Sequence, residues 1–139
     1  MNPEQYFNSV ADEYNKNRSR GIHGYFAKNE MIMAIKLLDI KKEDRVLDAG
    51  CGSGLYSLII KDKGAKPYGI DVSKKMIVNL KKNKINWKVA DLEHFNLNKK
   101  FDKVLCVGAF EFLKHQKSAL KCINNHLKSN WKFILLYPR

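Results

Sequence analysis

Nine residues, 46–54 (VLDAGCGSG), constrain the fold of this 139-residue chain more than any other stretch. Val46 and Leu47 lead to an acid at Asp48, three glycines follow at Gly50, Gly52 and Gly54, and an apolar helical pattern opens at Leu55. That order predicts a strand, a tight turn and a helix start. Glycine accepts positive φ and has no Cβ, so a ligand can lie against bare backbone. Amides at the start of the following helix favour a carboxylate or phosphate. A dinucleotide fingerprint reads G-x-G-x-x-G. Here the spacing is G-x-G-x-G with Leu55 in the third glycine's place, which disfavours a pyrophosphate site and a nicotinamide oxidoreductase. On this stretch alone, a purely structural strand-to-helix turn stays open.

The rest of the chain repeats the same unit. Strands are predicted at 45–49, 66–70, 86–90, 101–107 and 132–137 from short apolar or β-branched runs. Between them fall helical patterns: one from Leu55 ended by Gly64, one capped by Ser73 through Met76, Ile77 and Leu80, and one over 118–128 with Leu120, Ile123 and Leu127 on a stripe. A further helix is predicted over 25–38. Five strands alternating with helices imply an α/β, doubly wound parallel sheet, which binds ligands beyond the carboxyl ends of its strands. Residues 1–24 stand apart from the core at 25–139. Tyr6, Phe7, Val10 and Tyr14 share one helical face, and the stretch NKNRSRGIHG (15–24) reads as a polar connection. This segment is either a helix packed on the core or a lid whose Tyr14 and Arg18, one turn apart, face a ligand. His23 reads as an exposed loop residue rather than a general base.

Composition narrows the partners. The net charge of +12 invites nucleic acid. Yet 22 of the 26 basic residues are Lys spread along the chain, and Arg, the better bidentate phosphate reader, occurs only at Arg18, Arg20, Arg45 and Arg139. Nucleic acid is therefore not favoured. No apolar run is long enough to span a membrane, and the polar, acidic N-terminus does not read as a secretory signal; a cytoplasmic protein is expected. Cys51, Cys106 and Cys122 follow no disulfide or zinc pattern and read as small hydrophobes, so no metal site is expected.

Asp48, Asp71 and Asp91 each close a predicted strand. Asp71 lies 21 residues beyond Gly50, close to the separation of about 20 at which an acid accepts from ribose hydroxyls. Asp91, one strand over, is placed for an adenine exocyclic amine. Each could instead be a capping Asp at a strand-to-helix turn, but three in register with the glycine loop favour a ligand.

In order, VLDAGCGSG, GIDVS (69–73), VADLEHF (89–95) and FDKVLCVGAFEFL (101–113) resemble the motifs of class I S-adenosylmethionine-dependent methyltransferases of small-molecule type. Residues 120–139 resemble that family's next helix and strand. The resemblance implies a Rossmann-like sheet of order 3-2-1-4-5 and methyl transfer from S-adenosylmethionine to a small-molecule acceptor, leaving S-adenosylhomocysteine. By it, the loop (Asp48, Ala49, Gly50, Cys51, Gly52, Gly54) would hold the methionine end and Asp71 the ribose. Val72 and Met76 would flank the adenine, Asp91 and the Leu92 amide would read its edge, and Val107 and Gly108 would lie beside the transferred methyl. No obligatory catalytic residue is implied, because alignment carries the reaction. Two departures from the pattern stand out. The turn usually written P-G-G before the last strand is Ser129-Asn130-Trp131, and the usual C-terminal antiparallel hairpin is lacking. The edge strand 132–137 is then expected to dimerise or to limit solubility. Alternatives left open are an RNA methyltransferase and an inactive cofactor-binding fragment or partner subunit.

Overall fold

The computed structural model describes Asn2, Glu4, Gln5, Asn8 and residues 21–137, with the side chains of 21–27 excepted. Tyr14 and Arg18, on which the lid reading of the N-terminal segment turns, lie outside the described residues. The order is α1 (Gly21–Leu38), β1 (Arg45–Ala49), α2 (Leu55–Asp62), β2 (Lys66–Asp71), α3 (Lys74–Lys82), β3 (Asn86–Val89), β4 (Phe101–Val107), a 3-10 turn (Phe110–Phe112), α4 (Gln116–Asn125) and β5 (Leu127–Leu136). The strands form one sheet in the order β3-β2-β1-β4-β5, with every neighbouring pair parallel.

Period-two alternation along the central strands builds the two faces. Leu47, Ala49, Val104 and Cys106 point to one side, where they meet Ile123 of α4 and the segment carrying Leu92, Phe95 and Leu97. Val46, Leu105 and Val107 point to the other, beneath Ala34 and Leu38 of α1 and Tyr56 and Ile60 of α2. Ile77 and Leu80 of α3 close a smaller cluster with Cys51 and Ile85. Both faces of β1 and β4 are therefore covered, which is why β4 reads as a nearly unbroken apolar run.

Local signals fix the helix ends. Ser73 Oγ accepts from the Met76 amide at 3.2 Å, capping α3. At the end of α2, Gly64 adopts φ +82°, its N–H donates to the Lys61 carbonyl, and the Ala65 N–H reaches back to Ile60 O. This is the paired glycine stop that satisfies the helix's last carbonyls.

Several boundaries differ from the sequence expectation, three of them with consequences for the fold. Helix α1 begins at Gly21, so residues 21–24 are helical and not part of a polar connection. Strand β3 stops at Val89, one residue early. Leu127, expected on the stripe of a helix over 118–128, is instead the first residue of β5, opposite Phe101. The cause is His126. Its carbonyl accepts from Phe101 N, its Nε2 accepts from Leu97 N at 3.0 Å, and its Nδ1 lies 2.6 Å from Cys122 O. These bonds tie the chain to β4 and end the helix. The expected turn at 129–131 is a bulge within the strand, for pairing resumes only at Lys103 opposite Lys132. Residues 128–131 loop outward, exposed, with Lys128 held to Asp102 at 2.9 Å. Among the described residues no helix is long and apolar enough to cross a membrane.

Candidate functional site

A cleft of about 510 Å³ opens above the carboxyl ends of β1 to β4, within the ~300–1,000 Å³ usual for a small-molecule site. The glycine loop forms its near wall. Gly50, Gly52 and Gly54 all have positive φ, between +53° and +87°. At Gly50 nothing else fits, because a Cβ would stand 2.4 Å from the Cβ of Ala109, which rides rigidly on its own backbone. The loop is latched to β2: the Gly50 and Cys51 amides both donate to Ile70 O, at 2.8 and 3.0 Å.

Asp71 is the centre of that latch. Its Oδ2 accepts from Gly52 N at 2.9 Å and its Oδ1 from Ser73 N at 2.8 Å. Burial pushes its carboxyl above the ordinary aspartate value, opposed by those amides. Each oxygen keeps a second lone pair, so the fixed carboxylate can still accept from a ligand hydroxyl. The Gly50, Cys51, Gly52 and Gly54 amides are engaged within the protein, the last donating to Cys51 O.

All three strand-end acids border the cleft, in different settings. By alternation Asp48 faces α2. It is 2% exposed and receives the Ser57 hydroxyl at 2.6 Å, so it forms floor rather than rim. Asp91 is exposed, and its Oδ1 accepts from Glu93 N at 2.9 Å. The helix-capping alternative is not realised, since among the described residues no helix stands between β3 and β4; the bond closes a local turn beside the cleft. Val72, buried Met76 and buried Leu92 supply apolar walls around these acids, and Val107 and Gly108 close the far side. Gly50, Cys51 and Gly52 line the cleft as well.

Two candidates do not reach it. Ala49 is fully buried in the core, because alternation turns it toward the α4 face. Gly54 packs under Leu80, whose Cδ1 would lie 2.6 Å from an added Cβ. The Cys51 thiol is buried among Leu80 and Ile77 and titrates well above the usual thiol value, chiefly through burial. The Cys106 thiol, beside the end of β4, is pushed up to about 12 by burial first and then by the charges of Asp48 and Glu111. Neither is a nucleophile at neutral pH.

The structure adds lining residues that the sequence did not single out, notably Tyr56, Ala109, Glu93 and Lys114. Glu93 Oε1 accepts from the Lys114 and His115 amides at 2.7 and 3.1 Å, binding the segment after β3 to the segment after β4. The His115 amide, and then the Lys114 amide, hold its carboxyl below the ordinary glutamate value against the pull of burial. Of the aromatics that follow β4, Phe112 is 44% exposed at the cleft, whereas Phe110 is buried in the core.

A latched glycine loop, an acid fixed at the end of β2 and a second acid past β3 surround a cleft at the carboxyl ends of the strands, where doubly wound sheets take their ligands. Comparison with known proteins gives the family. The chain belongs to the methyltransferase domain family, matched over residues 47–135, and the cofactor of this class is S-adenosylmethionine. It is 29% identical over 127 residues to malonyl-acyl-carrier-protein O-methyltransferase 2 of Ilyobacter polytropus, covering 82% of this chain and 49% of that protein. Among solved structures it is similar to a Haloferax volcanii methyltransferase in complex with the Trm112 activator, with TM-score 0.78, 24% identity, and 93% of this chain and 58% of that one covered. It is also similar to the Synechocystis magnesium protoporphyrin IX methyltransferase with bound S-adenosylmethionine, with TM-score 0.73, 19% identity, and 90% and 70% covered. The chain spans about half the length of the curated relatives it matches.

Proposed function

We propose that this protein transfers a methyl group from S-adenosylmethionine to a small-molecule acceptor. The observation that carries the reading is Asp71, immobilised by the Gly52 and Ser73 amides at the lip of the cleft that Asp91 and Gly108 also line. The cofactor fits this cleft chemically. Asp71 offers carboxylate lone pairs to ribose hydroxyls, Val72, Met76 and Leu92 offer apolar walls to a flat base, and Asp91 an acceptor to its amine. The glycine loop, with Gly108 opposite, leaves backbone rather than side chains where the methionine end would lie.

When bound, the cofactor supplies the electrophilic methyl group. The chain's own part is alignment and exclusion of water, which can account for most of such a rate. A small-molecule acceptor is supported by the similarity to the Synechocystis enzyme, a magnesium protoporphyrin IX methyltransferase. RNA has weaker support, because the positive charge is mostly Lys dispersed along the chain. A cytoplasmic setting accords with three free cysteines.

Calorimetric titration tests the reading. S-adenosylmethionine and S-adenosylhomocysteine are expected to bind and NAD to fail; binding of NAD alone would overturn it. Asp71→Ala is expected to weaken cofactor binding at least tenfold, since it removes the ribose acceptor, and unchanged affinity would reject its role. Turnover with small acceptors and none with RNA would separate the acceptor classes.

A further inference from the structure

The two ends of the sheet carry opposite charge. Among the described residues, five acids and one lysine, Lys114, line the cleft at the carboxyl ends of the strands. At the amino ends the balance reverses. Every neighbouring pair of strands is parallel, so the segments that enter them emerge on one face, together with the C-termini of α2 and α3. Residues 61–66 and 81–84 bring six lysines there against one acid, Asp62, and residues 96–100 add Lys99 and Lys100 with no acid. Dispersed along the chain, these lysines gather in space.

Folding accounts for only part of this. Lys61, Lys81 and Lys82 lie in the last turns of α2 and α3, where a cation meets the negative end of the helix dipole. Beside β1 the lysines are neutralised, Lys41 by Asp39 and Lys66 by Glu43. Lys84, Lys88, Lys99 and Lys100 are exposed, belong to no helix, and among the described residues have no carboxylate within 4.0 Å. Lys88 and Lys100 donate to the carbonyls of Asn96 and Asn125 at 3.2 and 2.5 Å, which leaves their charge whole, and Lys99 lies 5.8 Å from the Tyr68 ring centre. These contacts string the four along one edge, from the entry of β3 past β2 to the entry of β5. The row ends at a polar pocket of about 460 Å³ bordered by Asn96, Asn98, Lys99, Lys100 and Asn125. Next along the chain comes the β5 bulge, with Lys128 and a 54% exposed Trp131.

We propose that this face binds single-stranded nucleic acid, its phosphates along Lys84, Lys88, Lys99 and Lys100 and a base stacked on Trp131. A track of cations with an exposed ring is the means by which proteins hold a single strand. Asparagine, donor and acceptor at once, matches the edges of bases. An acidic peptide would use the lysines alone, since its carboxylates have no hydrogen for the asparagine carbonyls and no flat face for Trp131. The edge spans four strand spacings, about 19 Å at ~4.8 Å each, so a few nucleotides fill it. The strand lies at the far end of the sheet from the cleft, whose acids repel phosphate; it is a docking partner and not the methyl acceptor.

The test follows the fluorescence anisotropy of a labelled oligouridylate of about ten nucleotides as the protein is added at several salt concentrations. Four phosphate contacts predict that log K falls against log salt with a slope of about −3. The triple variant Lys84→Gln, Lys99→Gln, Lys100→Gln is expected to bind at least tenfold more weakly, with a flatter salt slope and the parent's melting temperature. Lys28→Gln, Lys74→Gln, Lys117→Gln removes the same charge nearer the carboxyl ends of the strands and is expected to change affinity by less than threefold. Trp131→Ala is expected to weaken binding at least threefold. Absence of salt-dependent binding by the parent, or equal losses in the two triple variants, would overturn the proposal. So would undiminished binding by Trp131→Ala, or displacement by polyglutamate of equal charge as readily as by unlabelled oligouridylate, since the face would then suit an acidic chain.

Discussion

Asp71 and Glu93 both border the cleft, and their surroundings move their titration in opposite directions. Glu93 is held low by the His115 and Lys114 amides, so its contribution to stability is complete above the unfolded glutamate value of about 4.3 and is lost as pH falls through the lower folded value. Urea denaturation of Glu93→Gln against the parent should show a stability gap at neutral pH that closes in acid; a gap of constant size would contradict this. Asp71 is raised by burial, so its contribution is complete below the unfolded value and lost as pH rises through the folded one. The carboxylate is nonetheless the better acceptor for ribose. Cofactor affinity should therefore begin to fall on acidification at a pH above the ordinary aspartate value, about 3.9. At this scale the sequence places Asp48, Asp71 and Asp91 at strand ends beside Gly50 and Gly52, and all five border one cleft in the structure. Glu93 is not legible, because what distinguishes it is which amides meet its oxygens across the fold.

Elements were legible where a local signal ends them. The Ser73 cap and the Gly64 stop act within a few residues of their helices, and both stand in the structure as the sequence implies. Ser73→Ala should cost about 1 kcal/mol, measured as a lower urea midpoint at unchanged slope; no shift would mean the cap is dispensable. The start of β5 was not legible, because it is set by His126 bonds to Leu97 and Cys122 and by Phe101 N. A helical stripe through Leu127 satisfies the local pattern equally well. The bulge at residues 128–131 likewise follows from the register against β4 and from the Lys128–Asp102 pair, neither visible in a run of ten residues.

For the whole molecule, alternation of strands and helices was enough to give the sheet, and the strand order followed from the family resemblance; both stand in the structure. That order puts β5 at one edge, with no described strand beyond it. Residues 132–136 are half-buried and apolar apart from Lys132, a surface suited to strand pairing. Concentration-dependent dimerisation in size-exclusion chromatography is expected, and a monomer at high concentration would contradict it. If the strand-end acids and the latched glycine loop together hold one adenosine, a structure with S-adenosylhomocysteine bound will show ribose hydroxyls within hydrogen-bond distance of Asp71 and the adenine between Met76 and Leu92. Product bound elsewhere, or bound without touching Asp71, would contradict it.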